Sequence, residues 1–360
     1  MQQIQQLKHP DDSGGGILFL GSVDWANLMC DVAWAINHAC GVDGFTVESP
    51  ARVWVDLTHP FGYPQDIHGT NTLPLELIEM VDAGLFSWIV ATDHNYATVF
   101  LKAHLLGMFK SGKQQTNPYV AINHCGIAYR QQSALLDAQD LQFAQARFIS
   151  PDCFGLTPRT RHTVPLRNTW GPLVDQLRPS SLQPLKRTED GRYHVVLAHS
   201  PSNNTHKGTE LILPALQAIA TDAEIAKHYQ VEIDLIHGVP FTEAIERKSR
   251  CHIFVDQIAP DVGGYGQSSI EAMAFGATTL ADIHCVPQSI DMHFIRPPIH
   301  HVINTQGIVD WIKHILLTDP PRTLNIYRKH AWMWSENNSS PDAVANYWVD
   351  TLAAAMRMER

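Results

Sequence analysis

The sequence predicts an α/β protein with two domains, each built on a parallel β-sheet with helices on its faces. The chain has 360 residues, and a single hydrophobic core rarely grows that large. Short apolar runs alternate along it with segments whose apolar residues recur at helical spacing, which is the pattern of repeated βα units. One such run, residues 253–255, leads through a glycine-rich loop into a helix start.

The first predicted domain covers residues 17–170 and follows a leader at 1–16. The leader is polar and rich in Gln, without the basic start and apolar segment of a signal peptide, so we expect it to be flexible. The domain opens with an apolar strand at 17–20 and a helix at 28–39. Later apolar runs predict further strands that begin at residues 52, 86, 118 and 146.

Polar residues follow two of these strands. Asp24 and Trp25 come after the first strand, and Asp93 and His94 come after the third. Because the carboxyl ends of parallel strands meet at one edge of a sheet, ligands of open α/β proteins bind there. We therefore expect these four side chains to lie on the ligand side of the first domain.

The second predicted domain covers residues 171–340, after a connection rich in Pro, Arg and Thr. Apolar runs predict four strands, at 195–198, 231–236, 253–255 and 278–281. Lys207 precedes the first helix of this domain, where its ammonium and the unpaired amides of the helix start would suit a diphosphate. Residues 341–360 are predicted to form a separate terminal helix.

The loop after residues 253–255 has the features of a phosphate site. Its glycines, including Gly264 and Gly266, allow the backbone to approach a ligand closely. Unpaired amides at the start of the next helix, together with the helix dipole, favour an anion. Three polar residues stand where the first of these amides are expected: Gln267, Ser268 and Ser269.

This loop resembles the nucleotide-sugar loop of retaining glycosyltransferases with the GT-B fold, in the large family-four-like group. The shared residues are Gly264-Tyr265-Gly266 and the run Glu271-Ala272-Met273-Ala274-Phe275-Gly276. Two positions depart from the family. Gly263 replaces the first Glu of the Glu-x7-Glu motif, and Ser202 replaces the Arg of an Arg-x4-Lys-Gly motif whose Lys is Lys207.

The resemblance implies two Rossmann-like domains facing a cleft, with the helix at 341–360 crossing back to the first domain. It implies sugar transfer from a nucleoside-diphosphate sugar with retention at the anomeric carbon. The donor would lie on the second domain and the acceptor mainly on the first. The resemblance implies that Glu271 contacts the ribose, that Lys207 contacts the diphosphate and that His124 contacts the donor sugar. The turn at Gly238 and Val239 would pack on the nucleobase, and Arg130 would lie on the acceptor side.

We expect neither a cofactor nor a metal ion besides this donor. Lys207 and the helix amides would stabilise the departing diphosphate without one. Neighbouring Cys and His residues, such as Cys251 and His252, point to opposite faces of a strand and cannot chelate one ion together. The six cysteines show no Cys-x-x-Cys spacing, which indicates reduced thiols and a cytoplasmic protein. No apolar run reaches the roughly 20 residues of a membrane span.

The acceptor stays open at this point. The net charge of −10 argues against broad nucleic-acid binding, although residues 99–170 carry more basic than acidic groups. A glycan-type acceptor, which could be anionic, ranks first. The alternatives are a glycosyltransferase acting on a DNA base such as a hydroxymethylpyrimidine, a sugar epimerase or phosphorylase of the same fold, and a non-catalytic nucleotide-binding protein.

Overall fold

The computed structural model describes residues 15–21, 28–42, 49–55, 67–68, 79–81, 83–92, 118–124, 127–140, 144–156, 163–290 and 294–358. The chain divides into two compact units. The first unit comprises Met1–Gly171 and Ser340–Arg360, and the second comprises Pro172–Ser339.

The secondary structure alternates between strands and helices. The strands are β1 (Gly16–Gly21), β2 (Ala51–Val55), β3 (Ile67–His68), β4 (Phe86–Thr92), β5 (Tyr119–His124), β6 (Ala146–Ile149), β7 (Thr163–Pro165), β8 (Tyr193–His199), β9 (Tyr229–Leu235), β10 (Ile253–Val255), β11 (Thr278–Ala281) and β12 (His300–His301). The helices are α1 (Leu28–Ala39), α2 (Ile127–Asp140), α3 (Pro172–Leu177), α4 (Asn204–Lys207), α5 (Thr209–Ala220), α6 (Ala223–Ala226), α7 (Phe241–Lys248), α8 (Gln267–Ala274), α9 (Thr305–Leu317), α10 (Arg322–Ser339) and α11 (Pro341–Met358).

The first unit is built on a parallel seven-stranded sheet in the order β3-β2-β1-β4-β5-β6-β7. Every residue of β4 is buried, as expected for a parallel strand covered on both faces. The strand order reverses direction between β1 and β4. The loops that follow these two strands therefore stand at the topological switch point, where open α/β sheets bind ligands.

The terminal helix α11 packs in the first unit. Trp348 stacks on Phe148 with ring centroids 3.7 Å apart and meets Phe19 edge-on at 5.7 Å. The Tyr347 hydroxyl donates to the Pro165 carbonyl oxygen at 2.6 Å. The predicted return of the last helix to the first domain is thus confirmed, and buried aromatic side chains hold it there.

A buried ionic network lies beside this sheet. Arg147 on β6 has only 2% of its side chain exposed and forms ion pairs with Asp137 and Asp140 of α2. The Tyr129 hydroxyl donates to Asp137 at 2.7 Å. The two carboxylates are stable in this interior because a guanidinium and a hydroxyl compensate for their lost hydration.

The second unit is built on a parallel five-stranded sheet in the order β12-β11-β10-β8-β9. Helices α5 and α9 supply apolar side chains such as Ile212 and Ile312 to the core that contains Leu197 and Val255. The strand order reverses between β8 and β10. The carboxyl ends of these two strands are therefore the expected ligand position in this unit. No helix among the described residues has the length and apolar character needed to cross a membrane.

Candidate functional site

The glycine-rich loop follows the carboxyl end of β10 and leads directly into α8. Gly266 is the N-cap residue of that helix, with φ −97° and ψ 176°. As a glycine it offers no side chain that could cap the helix. The Gly264 carbonyl accepts a hydrogen bond of 2.7 Å from Gln257 Nε2, which fixes the middle of the loop. The strand, loop and helix thus follow one another as the sequence predicts.

Asp256, directly after β10, holds the loop to the helix start. Its Oδ2 accepts hydrogen bonds from the Gly266 amide at 2.7 Å and from the Ser269 hydroxyl at 2.6 Å. Its Oδ1 accepts one from Lys207 Nζ at 2.8 Å. The side chain is fully buried, and the carboxylate joins three separate segments of the chain.

Lys207 reaches the loop from the carboxyl side of β8. Its Nζ donates to Asp256 and, at 2.7 Å, to Gln257 Oε1, while 16% of its side chain remains exposed. A Cβ on Gly266 would lie 3.1 Å from this Nζ, so glycine lets the ammonium approach the helix start. Gly208 has φ +69°, and a Cβ there would lie 2.3 Å from the Ile258 carbonyl oxygen. A side chain is therefore excluded at Gly208, whereas one at Gly266 would push the Lys207 ammonium away from the helix start.

Glu271, in the second turn of α8, forms a buried ion pair with Lys248 at the end of α7. Lys248 Nζ lies 2.5 Å from Glu271 Oε2 and donates to the Ser268 hydroxyl at 3.0 Å. Each of the two charged side chains is only 5% exposed. One carboxylate oxygen, Oε2, is thus engaged by the protein itself.

Solved structures resemble this chain, although no protein-family model and no curated protein sequence matches it. A glycosyltransferase from Rickettsia africae superimposes with a TM-score of 0.60 at 11% identity, covering 96% of this chain and 100% of the other. HepE from Anabaena, in complex with UDP, superimposes with a TM-score of 0.55 at 14% identity. The match covers 94% of this chain and 100% of HepE. An α-glucosyltransferase in complex with UDP-glucose and DNA containing an abasic site superimposes with a TM-score of 0.56 at 9% identity. The match covers 93% of this chain and 98% of the other.

The chain has the GT-B fold. Its two parallel sheets with flanking helices are the two Rossmann-like domains of that fold. At these identities the likeness concerns the fold, and the chemistry rests on the residues of the site.

Gly263, where the GT-B motif has its first Glu, has a backbone conformation and close neighbours that disfavour a side chain in this loop. Its φ is +55°, which L-residues with a side chain rarely adopt. A Cβ would lie 2.6 Å from both Cys285 Sγ and His284 Cε1. Any contact with a donor sugar must therefore come from other residues. His284, one of the two side chains that meet this position, is 44% exposed and bound through Nδ1 to Asp282 Oδ1 at 2.7 Å.

Gly263→Ala is expected to destabilise the protein by about 2–4 kcal/mol, because backbone strain and steric overlap add at this position. Gly238→Ala is the matched control. Its φ is +68°, but nothing lies within 4 Å of the added Cβ, so only the strain of about 1–2 kcal/mol is expected. Urea unfolding of the two variants measures the difference. Equal losses of stability would contradict the packing described around Gly263.

The charge of Asp256 makes stability depend on pH. Burial acts to raise the pKa of this carboxyl, but the Lys207 ammonium and the hydrogen bonds from Lys207, Ser269 and Gly266 outweigh it, and the pKa lies below its ordinary value. The unfolded chain therefore binds this proton more readily than the folded one. The resulting stabilisation is present above the unfolded pKa of about 3.9 and is lost as pH falls through the folded pKa.

Asp256→Asn is therefore expected to lower the free energy of unfolding most at neutral pH and progressively less below about pH 4. Urea unfolding of both proteins between pH 3 and pH 7 measures this. A loss of stability that stayed constant across the range would show that the Asp256 charge contributes nothing.

The remaining predicted donor residues lie near this loop or on its neighbours. Gln267 and Ser269 are buried at the start of α8, and Tyr265 packs against the apolar cluster that contains Ile270. Val239 is half-buried after β9, and Gly238 beside it is exposed. These placements are compatible with the predicted nucleobase contact, which stays a prediction.

His124 and Arg130 are engaged within the first unit. The His124 ring is fully buried at the end of β5, and its Nε2 is hydrogen-bonded to Asp140 Oδ2. The ring stacks on Tyr129 with the two ring centroids 4.4 Å apart. Arg130 Nε donates to Asp152 Oδ2 at 2.9 Å. These contacts favour a structural role for both, and their predicted ligand contacts stay predictions. The other predicted acceptor-side residues, Asp24, Trp25, Asp93 and His94, lie outside the described residues.

Three residues that contact the candidate site or its loop were missed by the sequence reasoning: Asp256, Lys248 and His284. Asp256 directly follows β10, and this position was the only signal that could have found it. Lys248 is separated from Glu271 by 23 positions, so their pairing depends on the packing of α7 against α8. Within the part of the chain that the structure describes, no group of three or more His, Cys, Asp or Glu side chains could hold a metal ion.

Proposed function

We propose that this protein transfers a sugar from a nucleoside-diphosphate sugar to a hydroxyl acceptor, with the donor bound at the glycine-rich loop of the second unit. The observation that carries this proposal is the junction of Lys207, Asp256 and the α8 N-terminus. It lies at the switch point between β8 and β10, where GT-B and related sheets offer their ligand position.

In this proposal the leaving diphosphate is stabilised by the protein alone. The Lys207 ammonium is partly exposed and lies beside the helix start, where backbone amides and the helix dipole favour negative charge. Asp256 holds the ammonium and the Gly266 amide in place before the donor arrives, so little reorganisation is needed during the reaction. Metal independence follows as an expectation from these donors. Retention at the anomeric carbon is supported by the motif resemblance.

Glu271 binds the ribose in this proposal. Lys248 engages Oε2, and Oε1 is the oxygen that would accept a ribose hydroxyl. The Lys248 ammonium compensates for the burial of the Glu271 side chain and fixes its position in the site. The Ser268 hydroxyl, bound to the same ammonium, lies one turn away on the same helix face.

A glycan-type acceptor ranks above DNA. Two solved structures of similar fold, both of an α-glucosyltransferase, hold DNA, and residues 99–170 are basic in sequence. Two of those basic groups, Arg130 and Arg147, already form ion pairs with aspartates in the first unit. Fewer cations are then left for phosphates. A steep fall of acceptor binding with salt would reverse this ranking.

The proposal is tested by donor turnover. The protein is incubated with UDP-, GDP-, ADP- and dTDP-sugars and a panel of glycan acceptors, with and without EDTA, and released nucleotide is measured. We expect release from one donor at the same rate in both conditions. Release that required added metal would contradict the metal-independent site. Binding of a nucleotide without release from any donor would favour a non-catalytic protein.

A further inference from the structure

A polar pocket lies in the second unit, away from the glycine-rich loop. It has a volume of about 310 Å³, at the lower end of the range for small-molecule sites. His194 of β8 and Glu232 of β9 line it from the sheet, and His252, just before β10, lines it from the amino end of that strand. The glycine-rich loop leaves the opposite, carboxyl end of β10, so the two sites are distinct.

Arg328 of α10 is the most buried charge in this pocket. It is 4% exposed, and its guanidinium donates to three oxygens: the Gly276 carbonyl at 3.2 Å, the Gln183 carbonyl at 3.0 Å and Asn325 Oδ1 at 3.5 Å. No carboxylate of the described residues pairs with it. Burial lowers its pKa to about 10, so the group stays charged at neutral pH. A buried cation that lacks a counter-ion and borders a cavity favours an anionic occupant.

The rest of the lining carries two further cations and two carboxylates. Lys186 and Arg250 line the pocket, and neither forms an ion pair with a described carboxylate. The two carboxylates of the lining are already engaged: Glu232 binds His194 Nε2 at 3.0 Å, and Asp234 forms an ion pair with Arg247. Asp234 is thus paired outside the lining, and three cations, Lys186, Arg250 and Arg328, face one further carboxylate, Glu232, so the pocket keeps a net positive charge.

His252 supplies a neutral donor to the same cavity. Burial, together with the charge of Arg328, lowers its pKa to about 3, so the ring is neutral at physiological pH. Its Nδ1 accepts a hydrogen bond of 3.1 Å from the Val196 amide, which leaves the proton on Nε2. A neutral N–H beside two or three cations is the donor set that phosphate oxygens use.

We propose that this pocket binds the phosphate group of a small phosphorylated metabolite, with Arg328, Arg250 and Lys186 as its cationic contacts. The ligand would be a phosphate monoester or inorganic phosphate, and its site is separate from the donor loop. Arg328 also binds the Gly276 carbonyl, directly after α8.

Calorimetric titration of the full-length protein with inorganic phosphate and with glucose 6-phosphate tests the proposal, with glucose as the uncharged control. We expect saturable binding of both phosphates and none of glucose. Tighter binding of the ester would identify a phosphorylated metabolite as the ligand, and equal binding would identify phosphate itself. Arg250→Ala and Lys186→Ala are expected to weaken binding at least about threefold each, and Arg328→Met more than about tenfold.

Two control variants locate the site. Lys227→Ala removes an exposed lysine that pairs with Glu224 outside the pocket, and Lys207→Ala removes the cation of the donor loop. Binding is expected to persist in both. Arg328 also supports the fold, so Arg328→Met could fail to fold for that reason alone. In that case the substitutions of the exposed residues Arg250 and Lys186 test the proposal. Absence of saturable binding, insensitivity to both exposed substitutions, or loss of binding only in Lys207→Ala would overturn the proposal.

Discussion

Glu271→Gln is expected to weaken nucleotide binding at least about tenfold and to destabilise the protein by about 3–5 kcal/mol. The amide keeps the shape of the side chain but removes the charge that Lys248 pairs with at 2.5 Å, and both side chains are only 5% exposed. Lys248 would be left as a buried, uncompensated cation. Calorimetric titration with nucleoside diphosphates measures the first effect, and urea unfolding measures the second.

The double variant Glu271→Leu with Lys248→Met separates these two effects. Replacing both partners by apolar residues of similar size removes the uncompensated charge, so stability is expected to return close to that of the native protein. Nucleotide binding is expected to stay weak, because the carboxylate that would hold the ribose is absent. Recovery of nucleotide binding together with stability would show that Glu271 acts only through the ion pair and does not contact the ligand.

Arg147→Met is expected to destabilise the protein by about 3–5 kcal/mol, the usual cost of removing one partner from a buried ion pair. Asp137 and Asp140, which are 5% and 0% exposed, would lose the guanidinium that compensates for their burial. His124 binds Asp140 in the same network, so the end of β5 is also expected to loosen. Urea or thermal unfolding measures the loss.

Arg130→Met is the matched control in the same unit. Arg130 also pairs with an aspartate, Asp152, but its side chain is 18% exposed and that of Asp152 is 7% exposed, so a smaller loss than for Arg147→Met is expected. If the two substitutions cost the same, burial would not be what makes the Arg147 network stabilising.

Local patterns in the sequence were sufficient to predict the architecture and part of the candidate site. Continuous apolar runs predicted β4 and β10, since parallel strands are buried on both faces. The strand–loop–helix order around Gly266 also depends on a short segment with a strong signal, whereas the sequence placed Lys207 at the start of α5 and the structure brings its ammonium to Asp256, 49 positions away. The strands and the strand–loop–helix order could be read because neighbouring residues determine them.

Contacts between distant segments could not be read in the same way. Asp256 and Lys248 matter through partners that only the packed second unit brings near. Helix α10 was not predicted because its buried positions include Arg328 and Ser335 as well as Leu324 and Ala331, so its apolar periodicity is hidden. Trp332 and Trp334 lie on this helix in the second unit, where Arg178 stacks on the Trp332 ring at 3.7 Å.

The departure at Gly263 has a physical reason that the sequence does not contain. The family motif predicts a donor-sugar contact from this position. The loop adopts a positive φ here, and Cys285 and His284 occupy the space of a side chain. Residues after β11 are thereby brought beside the donor loop, although no motif marks them.

Hydrogen–deuterium exchange of the full-length protein with and without a bound nucleoside diphosphate tests the central claim most directly. We expect slower exchange at residues 263–271 and around Lys207, because the nucleotide would engage the α8 amides and the ammonium beside them. Protection confined to other parts of the second unit, or no change at these residues while the nucleotide is bound, would contradict the assignment of the donor site to this loop.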